Sequence, residues 1–158
     1  MAAINFTSSS KFVDTVYGLL STLTVKRYQH TKPSNAKDSE YIVINALPVP
    51  AGVMQVGYVN VNYFVKDINP GVPDITKLQA GEERVIALLK KVTASDKTYM
   101  IDIESQETFR EESAGEHYSN LRFSFKFINY QTPPVQIPWD VDSINVDIND
   151  ERLDIDYS

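Results

Sequence analysis

The most regular pattern in this sequence is an alternation of apolar and polar residues between Ser119 and Tyr130. The apolar positions are Leu121, Phe123, Phe125 and Phe127, and the polar positions between them are Arg122, Ser124 and Lys126. Successive side chains of a β-strand point to opposite faces of a sheet, so this period of two predicts a long strand with one apolar face. Such a strand needs neighbouring strands for its main chain and a cover for its apolar face.

Three further segments have the composition of strands, and they are Glu40–Leu47, Val53–Asp67 and Thr98 to about Phe109. In the second of these, Val59, Val61, Tyr63 and Val65 form one face, whereas Tyr58, Asn60, Asn62 and Phe64 form the other. One apolar face and one mixed face are typical of an antiparallel sheet that is covered on a single side. We expect the first two segments to form a hairpin, the third to pair with Ser119–Tyr130, and Val25–Tyr28 to form a short strand.

Two segments have the periodicity of amphipathic helices. The first, Ser10–Leu23, follows serines that can cap a helix, and the second follows Asp74 and runs to about Val92. Each contains a glycine, which weakens a helix relative to alanine. Gly18 is expected to allow close packing of the first helix, and Gly81 interrupts the middle of the second.

The order of these elements predicts an α+β fold, with one mostly antiparallel sheet of about four main strands and two helices on one face. We assign this domain to residues 1–131 and a proline-led, acidic, extended arm to residues 132–158. Parts of the arm alternate like a strand, and the apolar residues that we single out in it are Trp139, Ile144, Val146, Ile148, Leu153, Ile155 and Tyr157. It could add as a strand to a neighbouring copy, pack on its own domain as a fifth strand and hairpin, or remain disordered.

The composition of the chain limits the kinds of partner and the locations that we expect for the protein. The formal net charge is −6 and the nearest approach to a basic cluster is Lys26 and Arg27, with Lys32 and Lys37 nearby. Phosphate recognition needs a basic patch, so we expect no sequence-specific binding to nucleic acid. No apolar run is long enough for a membrane span and no signal peptide is evident, so we expect neither membrane insertion nor classical export. There is no cysteine for a disulfide or a thiolate site.

No motif predicts an enzyme. The two histidines, His30 and His117, fall in polar stretches that are typical of solvated loops, and no strand–turn–helix elbow holds a serine nucleophile. Asp140, Asp142 and Glu151 match three positions of a calcium loop, but the other required positions do not fit. Paired carboxylates such as Asp102 and Glu104 are common on exposed strands. We therefore predict no catalytic residue, no cofactor and no metal.

The layout resembles the tail terminator, or tail completion, proteins of tailed bacteriophages. The matching segments, in order, are KFVDTVYGLLSTLT, SEYIVINALPVP, VGYVNVNYFVKD, DITKLQAGEERVIALLKKV, and the hairpin of TYMIDIESQETF with SNLRFSFKFINY. The resemblance covers about residues 10–130 and rests on the order of elements, and the arm departs from the shorter family members. It implies a one-sheet subunit that forms a ring, commonly hexameric, between the tail tube and the head connector in the virion.

The resemblance also implies that subunits meet through surfaces without catalytic groups. We predict the interface to include Tyr58, Asn60, Asn62, Phe64, Arg122 and Lys126 on the mixed face of the sheet, together with the seven residues of the arm singled out above. The alternative is a cytosolic protein-binding or assembly-chaperone module, which would capture one partner and be absent from finished particles. A small acidic hydrolase is a third reading that nothing in the sequence favours.

Overall fold

The computed structural model describes residues 8–47 and 54–128, and these ranges contain two helices and six strands. The helices are α1 (Ser9–Leu19) and α2 (Ile75–Leu89). The strands are β1 (Lys26–Gln29), β2 (Glu40–Ala46), β3 (Met54–Lys66), β4 (Val92–Thr93), β5 (Tyr99–Glu111) and β6 (Glu116–Ile128). The predicted α+β class with two helices is confirmed. The boundary at residues 131 and 132, and the whole arm, lie outside the described residues.

Both helices begin where the sequence predicts a cap. The Ser8 side chain accepts a hydrogen bond from the backbone N–H of Lys11, at 3.3 Å, and the Asp74 side chain accepts one from Lys77, at 3.1 Å. Each bond satisfies a donor that the first turn of a helix otherwise leaves without a partner. The first helix ends at Leu19, four residues before the predicted end at Leu23.

The strands form one sheet in the order β1-β2-β3-β6-β5-β4. The predicted pairings of β2 with β3 and of β5 with β6 are confirmed, and both are antiparallel. The expectation of about four strands was too low, because two short strands extend the sheet at its edges. Furthermore, β1 pairs parallel to β2, so the sheet is mixed, although its other four pairings are antiparallel.

Both helices pack on the same face of this sheet. The Phe12 ring of α1 stacks on Phe125 of β6 at 4.1 Å, and Gly81 of α2 lies against the Tyr63 ring of β3. The registers place Phe125 opposite Gly57 and Tyr63 opposite Ser119, so both contacts are on the odd-numbered side of β3. The core lies between this face and the helices, and its fully buried side chains include Phe12, Leu20, Ile42, Tyr63, Leu89 and Phe123. We call the opposite side of the sheet the open face.

The two helical glycines have different surroundings. A Cβ atom built on Gly81 would lie 2.2 Å from a ring carbon of Tyr63, whereas one built on Gly18 would have no atom within 4 Å. Gly81 is therefore required where α2 crosses the tyrosine ring, because any larger residue would overlap that ring. The expectation that Gly18 permits close packing was wrong.

A β-bulge in β5 changes which residues face the helices. The pairing with β6 shifts between Ile103 and Ser105, so Glu104 has no directly opposite residue. One extra residue in a strand reverses the side to which the following side chains point. Before the bulge, odd-numbered residues such as Ile101 face the core; after it, Phe109 points to the open face, where its ring stacks on Tyr118 at 5.4 Å.

Candidate interaction surface

The open face contains all six of the predicted interface residues that the structure describes. Asn60 pairs with Arg122 across β3 and β6, Phe64 pairs with Tyr118, and Val56 pairs with Lys126. Tyr58 lies opposite Ser124 on the same face. The sequence thus predicted correctly which residues share this surface. Their role in contacts between subunits remains a prediction, and the seven predicted residues of the arm lie outside the described residues.

A row of five aromatic rings crosses the open face from one edge of the sheet to the other. Centroid distances between successive rings are 6.2, 4.7, 4.6 and 5.4 Å. The rings, in order from β1 to β5, belong to Tyr28, Tyr41, Phe64, Tyr118 and Phe109. Offset or edge-on pairs at such distances contribute about 0.5–1.5 kcal/mol each beyond area burial. This aromatic row gives the open face a rigid apolar band.

Charged groups surround Tyr41, the most buried ring of the aromatic row. The Tyr41 hydroxyl donates a hydrogen bond to the Glu116 carboxylate at 2.5 Å, and the Lys32 ammonium lies 3.7 Å from the centroid of the Tyr41 ring. Burial of Tyr41, and then its bond to Glu116, raise the pKa of the hydroxyl, so the tyrosine stays protonated and continues to donate. Lys32 also lies 3.9 Å from Glu116, which offsets the negative charge of this buried carboxylate.

Beside the aromatic row, polar side chains bond to one another across strands. The amide of Asn120 donates to Asn62 at 2.6 Å, and Arg122 Nε donates to Asn60 at 3.2 Å. Although no helix or strand among the described residues covers this face, Asn60 and Asn62 are only 9% and 8% exposed. These asparagines are therefore largely screened from solvent, and their polar groups are already partly satisfied.

The exposed part of the open face lies at the end of the strands away from Tyr41 and along the outer strand β5. Tyr58 is 38% exposed, Met100 is 48% exposed and Phe109 is 39% exposed. A shallow groove of about 310 Å³ lies between β4 and β6 and is lined by Lys91, Val92, Thr93, Met100, Ile101, Asp102, Ser124 and Lys126. It combines apolar side chains with both signs of charge, which suits contact with another protein surface better than capture of a single charged ligand.

The sequence predicted both histidines in solvated loops, which is correct for His30 and wrong for His117. His117 lies in β6 near its start, and its Nδ1 is 2.6 Å from Oδ1 of Asp67. Asp67 also accepts a hydrogen bond from the backbone N–H of Gly71 at 3.0 Å. The bond to His117, followed by the one to Gly71, lowers the pKa of Asp67. His30 follows β1 with a φ of 64° and is exposed.

The described residues hold no other recognised constellation. In residues 8–47 and 54–128, no group of three or more histidine, aspartate or glutamate side chains is arranged to hold a metal ion. No helix within these ranges has the length and hydropathy needed to cross a membrane. Asp102 precedes the bulge, and Glu104 lies in it. The acidic positions considered for calcium, Asp140, Asp142 and Glu151, lie outside the described residues.

Comparison with known proteins adds no family to this description, since no protein-family model and no curated protein matches the chain.

Sequence reasoning missed most of the aromatic row. Tyr28, Tyr41, Phe109 and Tyr118 come from four separate segments, and only the register between strands shows that they are neighbours. A usable signal was present in β5, where Phe109 has the same parity as Ile101 and Ile103 but follows five polar residues, Glu104 to Thr108. That break in alternation marks the bulge.

Proposed function

We propose that this chain is a structural subunit of a tailed bacteriophage, which forms a ring at the junction of head and tail as a tail terminator, tail completion protein or related neck component. The observation that carries the proposal is that, among residues 8–47 and 54–128, helices cover one face of the sheet only, and the open face holds the aromatic row and a partly exposed mixed surface. Such a subunit offers broad surfaces to protein partners.

The architecture supports the resemblance on which the proposal rests. Helix, strand pair, helix and strand hairpin follow one another in the expected order, and all belong to one sheet. The formal charge of −6 also suits a protein that surrounds a passage for DNA, because an acidic surface repels phosphates and does not retain them. The proposed partners are other copies of the chain, the tail tube and the head connector.

The first test is the solution mass of the purified full chain, with negative-stain images of any large species. The proposal predicts closed rings, of about six copies as the resemblance implies, either from the chain alone or after addition of a tail-tube protein from the same virus. A variant that ends at residue 138 should keep the secondary structure of the domain, as measured by circular dichroism, and assemble less.

Particle composition separates this proposal from the alternative of an assembly chaperone. A ring component remains in purified virions, whereas a chaperone is found with assembly intermediates and is absent from finished particles. Mass spectrometry of purified particles measures this directly. Absence from the particles, together with a chain that stays monomeric beside the tail-tube protein, would contradict the proposal.

A further inference from the structure

The two edges of the sheet have main-chain groups without a strand partner. At one edge, β1 pairs with β2 and with no other described strand. At the other edge, β4 covers β5 only at Met100 and Ile101. Within the described part of the chain, β5 from Ile103 to Glu111 therefore has a free outer side, and residues 104–111 are all exposed. Free strand edges are templates for pairing with another strand.

These two free edges lie at the same level of the sheet. Following the pairings from β1 to β5, one level contains Lys26, Tyr41, Phe64, Tyr118 and Phe109, and another contains Gln29, Ile44, Val61, Leu121 and Gln106. The four residues of β1 are thus level with Gln106–Phe109 on the opposite edge. A second copy placed beside the first could continue the sheet without sliding along the strands.

The strand directions at the two edges are also compatible. β1 is parallel to β2, and the next three pairings toward β5 are all antiparallel, so β1 and β5 run in opposite directions. If a neighbouring copy keeps the same orientation, its β1 is antiparallel to β5 of the first copy. Directly opposite residues would then keep their faces, so Lys26 and Phe109 would both lie on the open face.

The edges carry opposite charge. Residues 26–38 contain four cationic side chains and one carboxylate, Asp38. Arg27 donates to the carbonyl of Leu20 and Lys32 lies against Tyr41 and Glu116, so the cations that face solvent are Lys26 and Lys37. Residues 102–112 contain five carboxylates, Asp102, Glu104, Glu107, Glu111 and Glu112, and one cation, Arg110. Lys26 bridges to Asp38 at 2.9 Å, yet its side chain remains 68% exposed. Complementary charge steers partners together and opposes pairing of like edges.

We propose that β1 of one copy pairs antiparallel with the free part of β5 of the next copy, so that the sheet continues from subunit to subunit. This inference rests on the proposed function, for which it names the contact between subunits. The occupant is a second copy and not the chain's own arm, because residues 139–158 carry seven carboxylates and one arginine, which would face the glutamates of β5. A head-to-tail contact of this kind closes into a ring when the rotation between copies allows it.

Disulfide trapping tests this contact directly, because the chain has no cysteine of its own. The test variant is Gln29→Cys/Gln106→Cys, whose two positions are directly opposite in the proposed pairing. Within one copy they lie four strand spacings apart, about 19 Å, which is far beyond the reach of a disulfide. Under mild oxidation at low salt, we expect a ladder of covalent dimers, trimers and larger species on a non-reducing gel.

A matched control is Gln29→Cys/Gln79→Cys, in which the second cysteine is on the exposed surface of α2. It should remain largely monomeric. In a third variant, Glu107→Lys added to the test pair should lower the yield several-fold, and Lys26→Glu added to that should restore it. If the test pair disturbs folding, as judged by circular dichroism, Lys26→Cys/Phe109→Cys probes the same contact at another level.

Three results would overturn the proposed contact. They are yields no higher than the control, products that stop at dimers because Gln106→Cys alone links two β5 edges, and yields that do not respond to the charge reversals. These results are distinguishable from failure of the proposed function. If the unmodified chain forms rings but the test pair forms no disulfide, the proposed function is retained and the contact is refuted. If the test pair forms open covalent chains but the unmodified chain forms no rings and is absent from virions, the contact is retained and the proposed function is refuted.

Discussion

Replacement of Gly81 by alanine should destabilise the protein, although helix propensity alone predicts the opposite. In the interior of a helix, alanine is favoured over glycine by about 1 kcal/mol. At this position the new methyl carbon would lie 2.2, 2.3 and 2.6 Å from three atoms of the Tyr63 ring. All three distances are far below van der Waals contact, so either the ring or α2 must move.

The Tyr63 ring cannot move without loss. It is fully buried, its hydroxyl donates to Glu40, and Arg84 Nη2 donates to that hydroxyl at 2.9 Å. Overpacking of a core costs about 1–3 kcal/mol, and loss of a hydrogen bond costs about 1 kcal/mol. After the gain in propensity is subtracted, we expect Gly81→Ala to lower the free energy of unfolding by about 2 kcal/mol, which corresponds to a fall of roughly 4–8 °C in Tm for a chain of this size.

Urea unfolding followed by circular dichroism measures this change, and Gly18→Ala is the matched control. Gly18 is also in a helix but has open space around it, so its replacement should raise the free energy of unfolding by roughly 0.5 kcal/mol. In a Tyr63→Leu background the Gly81→Ala change should be much less harmful, since the ring is absent. If Gly81→Ala stabilises the protein as Gly18→Ala does, the close approach of α2 to Tyr63 is wrong.

Two further predictions concern hydrogen-bonded pairs, Tyr41 with Glu116 on the open face and His117 with Asp67 near the start of β6. Tyr41→Phe removes the hydroxyl that donates to the buried Glu116 carboxylate, so it should lower the free energy of unfolding by about 1–3 kcal/mol. The control Tyr58→Phe, at an exposed position, should change the free energy of unfolding by less than about 0.5 kcal/mol. Equal effects of the two substitutions would argue against the Tyr41–Glu116 bond. Because His117 lowers the pKa of Asp67, this carboxylate stabilises the fold above its ordinary pKa near 4, and the stabilisation is lost as the pH falls through the lowered value. Asp67→Asn should therefore flatten the fall in Tm between about pH 5 and pH 3, and an unchanged slope would show that the pair does not contribute.

The order of elements could be predicted because it depends on local patterns. The alternation in Ser119–Tyr130 arises because one face of the strand is buried. The caps at Ser8 and Asp74 depend on residues no more than four positions away. Within the part of the chain that the structure describes, these local rules located both helices and every strand of seven residues or more, with bounds that differ by a few residues.

The remaining features depend on contacts between distant segments. β4 has two residues, too few for any periodicity, and the parallel pairing of β1 with β2 has no local signature. The aromatic row and the role of Gly81 arise from registers and crossings that only the folded chain shows. For the same reason the sequence could place residues on a face but could not identify its free edges.

The strand order also has a consequence for synthesis of the protein. β3 lies at the centre of the sheet, but its inner neighbour is β6, the last described strand to leave the ribosome. Roughly 60 residues separate the end of β3 from the end of β6, which at 5–20 residues per second takes about 3–12 s. Throughout that interval β3, a long valine-rich strand, has one side without a partner. The nascent chain is therefore most prone to aggregation after β3 has been made and before β6 is complete.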